Sequence, residues 1–157
     1  MLKEEIKSDL NKALKEGDEI KRSTLRMLLA AVLNKEKEKK YKEKLEKEVE
    51  LTDEEIIDVI SSEAKKRKES IIEYEKGERQ SLAEKEKKEL EILQKYLPEQ
   101  LSEQEVKKLA KETVEEVGAE DIKDMGKVMA ELMPKLKGRA DGGLVSKIVK
   151  ELLSKET

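Results

Sequence analysis

Two charged residues stand where the surrounding pattern asks for apolar ones, and they are the first place to look for chemistry. Arg67 interrupts the run Ile57, Ile60, Ala64, Ile71 and Tyr74, and Glu86 interrupts Leu82, Leu90, Leu93 and Leu97. Both runs step by three and four residues, the spacing of a single helical face. If the two helices fold back on each other near Gly77, Arg67 and Glu86 come within about a turn of one another. The expectation is an internal ion pair that fixes the register of a hairpin. Such a pair adds little stability by itself, because desolvation offsets most of the attraction. A catalytic pair is the competing reading.

A second constellation lies near the C-terminus. Lys127, Lys135, Lys137, Arg139, Lys147 and Lys150 face only Glu131 and Asp141 between Gly126 and Lys150, a local excess of +4. Over residues 1–97 the charges nearly cancel, 24 positive against 25 negative, and the whole chain carries −3. Residues 98–125 are acidic, with 4 positive against 9 negative. A concentrated positive stretch is the electrostatic footprint of a phosphate-bearing partner, although solvated helix faces produce such excesses too. No aromatic lies within the stretch, so a nucleic acid would be met at its backbone and shape instead of its unstacked bases. The pair Gly142-Gly143 could offer helix N-terminal amides to an anion. Asp141 competes for those amides as an N-cap.

What is missing excludes more. The 157 residues contain no His and no Cys, which removes thiolate nucleophiles, zinc ribbons and Ser-His or Cys-His catalysis. The motifs DxDxDG, HExxH, GxSxG and GxxxxGK[ST] are absent, so neither a metal site nor a cofactor is expected. No apolar run approaches a membrane span of about 18 residues, and the N-terminus MLKEEIKSDL is too polar for a signal peptide. The expectation is a soluble, cytoplasmic protein without a membrane partner.

The elements that must position these residues are helical almost throughout. Charged residues make up 46% of the chain, a composition that suits disorder as well as helix, so periodicity has to decide. Leu2, Ile6, Leu10 and Leu14 recur every four residues, and Gly17 follows as a left-handed terminator. Leu25, Leu28, Leu29, Val32 and Leu33 share a second face. Thr52 with Glu55, and Ser102 with Glu105, each form a capping box. The Arg67 run ends at Gly77, and the Glu86 run begins near Ser81 and stops at Pro98. Val106, Leu109, Ala110, Thr113 and Val117 precede Gly118. Asp124 can cap the stripe Met125, Val128, Met129, Leu132, Met133 and Leu136, in which Pro134 should introduce a bend. Asp141 can cap the last stripe, Leu144, Val145, Ile148, Val149, Leu152 and Leu153. The methionines Met125, Met129 and Met133 read as core, with an adaptable partner groove as the alternative.

This predicts seven helices and an all-α fold. A break at Pro98 separates an N-terminal long-helix domain of about four helices, residues 1–97, from a three-helix tail, residues 98–157. Residues 35–50 are nearly pure Lys and Glu, with Tyr41, Leu45 and Val49 spaced by four. They read either as an exposed helical extension or as a flexible charged loop.

The C-terminal residues also carry a resemblance. Asp124-Met-Gly-Lys-Val-Met129, Met133-Pro-Lys-Leu-Lys-Gly-Arg-Ala-Asp-Gly142 and Val149 with Leu152-Leu153 resemble the GatB/YqeY family. That family unites stand-alone YqeY proteins with the C-terminal tail domain of the GatB component of aspartyl/glutamyl-tRNA amidotransferase. Arg22-Ser-Thr-Leu-Arg26, Leu51-Thr-Asp-Glu-Glu55 and Tyr96-Leu-Pro-Glu-Gln-Leu-Ser102 are similar to the stand-alone members. The resemblance implies a helical domain followed by a three-helix tail. It also implies tRNA, or a tRNA-handling enzyme, as partner, with contact through Lys127, Lys135, Lys137, Arg139, Lys147 and Lys150. The amidotransferase-like label that such proteins carry would mean a carbon–nitrogen ligase with glutamine as amide donor. Nothing in the residues supplies a catalytic constellation for that reaction. The expected function is therefore a non-catalytic accessory protein acting with amidotransferase machinery, and a helical interaction module is the further alternative.

Overall fold

The computed structural model describes residues 1–154 and shows seven α-helices and no strand among them, the all-α fold expected. The chain divides into two compact units, Met1–Leu97 and Pro98–Thr157.

The first unit contains α1 (Leu2–Glu16), α2 (Glu19–Lys42), α3 (Asp53–Lys76) and α4 (Gln80–Gln94). Local signals set most of their ends. Gly17 closes α1 in the left-handed conformation at φ 71°, and Asp18 caps α2 by accepting from the Lys21 amide. Thr52 and Glu55 exchange both hydrogen bonds of the expected capping box at the start of α3. Ile6, Leu25, Leu28, Val32, Leu51, Ile56, Val59, Ile60 and Leu93 form the core. In α1 the inward residue of the last turn is Ala13; Leu14, expected on that face, is 42% exposed.

The Lys/Glu stretch is divided between helix and loop. Helix α2 runs on to Lys42, after which the chain leaves the helix until Asp53. Tyr41, Leu45 and Val49 thus do not share a helical stripe. Glu36, inside this stretch, is buried, with its carboxylate holding Lys3 Nζ at 2.9 Å and accepting from the Leu51 amide at 3.1 Å. One carboxylate therefore ties α1, α2 and the start of α3 together. Composition hides it, because Glu36 is one of many glutamates and only its neighbours in space distinguish it.

The second unit contains α5 (Glu103–Val117), α6 (Met125–Leu136) and α7 (Gly142–Leu153). Ser102 and Glu105 form the second capping box, and Gly118 ends α5 at φ 66°. Asp124 does not cap α6 in the expected way. Its carboxylate reaches back to the Glu120 amide at 2.9 Å and closes a single 3-10 turn over Ile122–Asp124. Helix α6 passes Pro134 and continues to Leu136, and Gly138 follows at φ 75°. The core is Val106, Ala110, Val128, Leu132, Leu136, Val145, Ile148, Val149 and Leu153, with Met125, Met129 and Met133 half-buried against it.

Candidate nucleic-acid interface

The basic residues of the second unit come from three different pieces of backbone. Lys127 and Lys135 are exposed on α6, Lys137 and Arg139 belong to the turn after it, and Lys147 and Lys150 are exposed on α7. On α6 the inward face is Val128, Leu132 and Leu136. Lys127, Glu131 and Lys135 follow one another at four-residue spacing on the outer side, so an acid separates the two cations. Lys135 also meets Glu116 of α5 at 3.4 Å. On α7 the inward residues are Val145, Ile148, Val149 and Leu153, which leaves Lys147 and Lys150 together on the opposite side. The six cations thus form a basic turn and an outward α7 pair, with Lys127 about 12 Å along α6 from Lys135.

The turn itself is a built element. Gly138 takes the left-handed conformation that glycine adopts without steric cost and reverses the chain after α6. The segment after Pro98 then clamps it. The Leu101 amide donates to the Arg139 carbonyl at 2.9 Å, and Gln100 Nε2 donates to the Gly138 carbonyl at 2.6 Å. Arg139 Nε donates to the Glu99 carbonyl at 3.3 Å. That bond fixes the guanidinium on its inner edge and leaves the Nη groups to carry its remaining donors, a geometry suited to a forked contact with phosphate oxygens. Sequence reasoning identifies Arg139 and misses Glu99, Gln100 and Leu101. These three lie in a segment that reads only as a boundary, and their signal is a contact between residues distant along the chain.

At the start of α7, Asp141 Oδ1 accepts from the Gly143 amide at 3.3 Å. The N-cap reading of Asp141 therefore holds, and the amide is occupied internally instead of being offered to an anion. At the start of α6, hydrogen bonds from the Glu120 and Asp121 amides hold the Asp124 carboxyl below the usual carboxylate range, with nearby Lys127 acting in the same direction. The acid is thus anchored to backbone and is not poised for proton transfer.

The interrupted seam of the first unit is present with a different direct partner. Arg67 is 6% exposed and lies between Glu63, at 3.1 Å from Nη1, and Glu89, at 3.4 Å from Nε. Its Nη2 touches Met27 Sδ at 3.9 Å. Glu86, the expected partner, sits one turn earlier on α4, near Glu89. Burial is the largest cause pushing the Glu86 carboxyl up, followed by repulsion from Glu89; Arg67 acts the other way. The displacement follows from the packed face of α4. Its buried residues are Ala83, Glu89 and Leu93, while Leu82, expected to face inward, is 38% exposed. The leucine count favours one side of α4, and the small Ala83 turns the seam toward another. Of the two carboxylates in contact with the guanidinium, Glu63 belongs to α3 and Glu89 to α4, so the Arg67–Glu89 pair joins the two helices. No group of three or more acidic side chains able to hold a metal ion occurs among the described residues.

The family model described as Yqey-like protein matches residues 3–153. Altered inheritance of mitochondria protein 41, mitochondrial, of Pyrenophora tritici-repentis is 31% identical over 152 residues, covering 94% of this chain and 78% of that protein. The protein of the same name from Kluyveromyces lactis is 35% identical over 91 residues, and that from Lachancea thermotolerans 35% over 92. These two matches take in 58% and 59% of this chain, and 45% and 46% of the respective yeast proteins. No helix among the described residues is long and apolar enough to cross a membrane. With a family match over almost its full length, the chain belongs to the Yqey-like protein family.

Proposed function

We propose that this protein is a non-catalytic accessory factor that contacts tRNA through the basic turn of its second unit, in connection with tRNA-dependent amidotransferase machinery. The observation that carries the reading is the clamp on that turn: Glu99, Gln100 and Leu101 hold Gly138 and Arg139 in place. Cations on a fixed backbone lose little conformational freedom when they meet a phosphate, so the turn is organised for contact before the partner arrives. Lys137 and Arg139 are its centre, and Lys147 and Lys150 extend it along α7. Lys127 contributes least, because Glu131 separates it from Lys135. The reading places the protein in the cytoplasm; the relatives' names make the mitochondrion the alternative.

Filter binding of bulk tRNA at low and high salt tests this. Affinity is expected to fall steeply as salt rises, since counterion release drives such contacts. Reversing two charges with Lys137→Glu and Arg139→Glu should weaken binding and reduce the salt slope by about 2. Absence of binding at low salt ends the reading. A second reading, a helical protein-interaction module, is favoured by the half-buried Met125, Met129 and Met133. It requires that the charge reversals leave partner capture intact while polar substitutions along those methionines abolish it.

A further inference from the structure

The basic turn can hold phosphates, but the second unit has no aromatic residue with which to grip a base. The first unit has one in the open. Tyr41 is 86% exposed, the most exposed large apolar side chain among the described residues. It sits in the last turn of α2, whose end is folded in a particular way. The Leu45 amide bonds the Lys40 carbonyl at 3.0 Å and the Lys44 amide bonds the Tyr41 carbonyl at 3.3 Å, with Lys44 in the left-handed conformation at φ 51°. This is a Schellman closure with lysine in the place that glycine usually fills. It turns the chain back at once and brings Leu45 and Lys44 beside Tyr41. The result is an open recess of about 620 Å³ lined by Lys37, Lys40, Tyr41, Lys44, Leu45 and Glu48.

The charge of this recess is three cations against one carboxylate, in a unit whose charges otherwise nearly cancel. Lys40 is bound to Glu48 at 2.6 Å, so Lys37 and Lys44 supply the excess. The lysines of the last turn also offset the negative end of the α2 dipole, which would otherwise repel an anion. An aromatic face with cations on both sides is the chemistry that receives a base and its flanking phosphates. One tyrosine and one leucine give too little apolar surface to enter a bilayer.

We infer that Tyr41, with Lys37 and Lys44, is a stacking platform for single-stranded RNA. The inference rests on the RNA reading above and adds a second, base-directed contact on a different unit.

The test uses the full chain and two probes of equal length, a single-stranded RNA of about ten nucleotides and a blunt RNA duplex. The single strand should bind more tightly than the duplex and quench tyrosine fluorescence. Tyr41→Ala should weaken single-strand binding roughly tenfold, whereas Tyr41→Phe, which keeps the stacking face, should bind as the parent does. Because Tyr41 is exposed, both variants should keep the parent's melting temperature, which a thermal scan verifies. Equal binding by Tyr41→Ala and the parent overturns the inference, as does binding to vesicles of anionic lipid in place of the oligonucleotide. Its failure is separable from that of the tRNA reading. If Lys137→Glu with Arg139→Glu abolishes tRNA binding while Tyr41→Ala changes nothing, only the platform falls. If tRNA does not bind but the single strand does, with Tyr41 dependence, only the turn falls.

Discussion

The two units solve the same packing problem with different materials. Among the described residues each has nine in its buried apolar cluster, but the first spreads them over residues 1–97 and the second concentrates them in 98–157. The first unit adds buried Ala13, Ala64, Ile71 and Ala83 outside its cluster and also buries polar side chains: Thr24, Glu36, Arg67 and Glu89 are buried there, against Thr113 in the second. It also contains both described non-glycine residues at positive φ, Lys44 and Glu78, whereas the second puts glycine at its left-handed positions, Gly118 and Gly138. The first unit thus combines an apolar core with buried charge pairing. The second is specified by apolar stripes and keeps its charges for the surface, where they are available to a partner.

This contrast can be broken most directly at Arg67. Arg67→Leu leaves Glu89 buried beside Glu63 and Glu86 without a counter-charge, and should cost roughly 3–5 kcal/mol in urea unfolding. The double variant Arg67→Leu/Glu89→Leu should recover most of that loss. If Arg67→Leu unfolds like the parent, the seam does not set register and the contrast fails on its main point.

In the second unit the corresponding damage is apolar. Leu132 is fully buried, and Leu132→Ala should cost about 3 kcal/mol through lost transfer energy and an unfilled cavity. Followed by hydrogen exchange, the loss should appear in α5–α7 and spare α1–α4. Loss of protection in both units alike would show that they do not unfold separately.

The turn between α3 and α4 offers a smaller effect of opposite sign. Gly77 lies at φ −82°, an ordinary helical value, while Glu78 takes the left-handed conformation at φ 57°. A β-carbon at Gly77 would meet only ordinary contacts, 3.5 Å at the nearest. Exchanging the two roles with Gly77→Ala/Glu78→Gly should stabilise the first unit by about 1 kcal/mol, whereas Gly138→Ala should destabilise the second by a similar amount. Thermal unfolding of the two variants distinguishes these signs.

The smallest effect is in pH dependence. The Glu86 carboxyl is raised by burial and by Glu89, so the folded state holds its proton to higher pH than the unfolded chain does. Its contribution must then fall as pH rises from the unfolded carboxylate range through the raised folded value. Glu86→Gln should remove that decline and leave the variant slightly more stable than the parent at neutral pH. Asp124 runs the other way: its lowered carboxyl gives stability above the unfolded value that is lost as pH falls through the folded one. Asp124→Asn should weaken the second unit at neutral pH and converge on the parent in acid. Titrating melting temperature against pH for both variants measures the two slopes, and slopes of one sign would contradict the opposed shifts.

The cases in which local pattern misleads share a cause. Leucines outnumber alanines on one side of α4 and point to Glu86 over Glu89, yet a buried alanine lets two helices approach more closely than a leucine does. Tyr41, Leu45 and Val49 repeat every four residues, but the repeat continues past the end of the helix.

The helices, their phase and most of their ends are written in the chain itself. Thr52, Ser102 and Asp141 cap where they stand because a side-chain oxygen and an amide two or three residues on are always within reach. All-helical periodicity likewise depends only on near neighbours. Tertiary structure alone decides which glutamate meets Arg67, that Glu36 is buried among so many exposed carboxylates, and that Gln100 holds the Gly138 turn. Each of those contacts joins residues from 15 to 38 positions apart. At such separations the burial and orientation of the intervening helices, not local pattern, determine which polar group finds a partner.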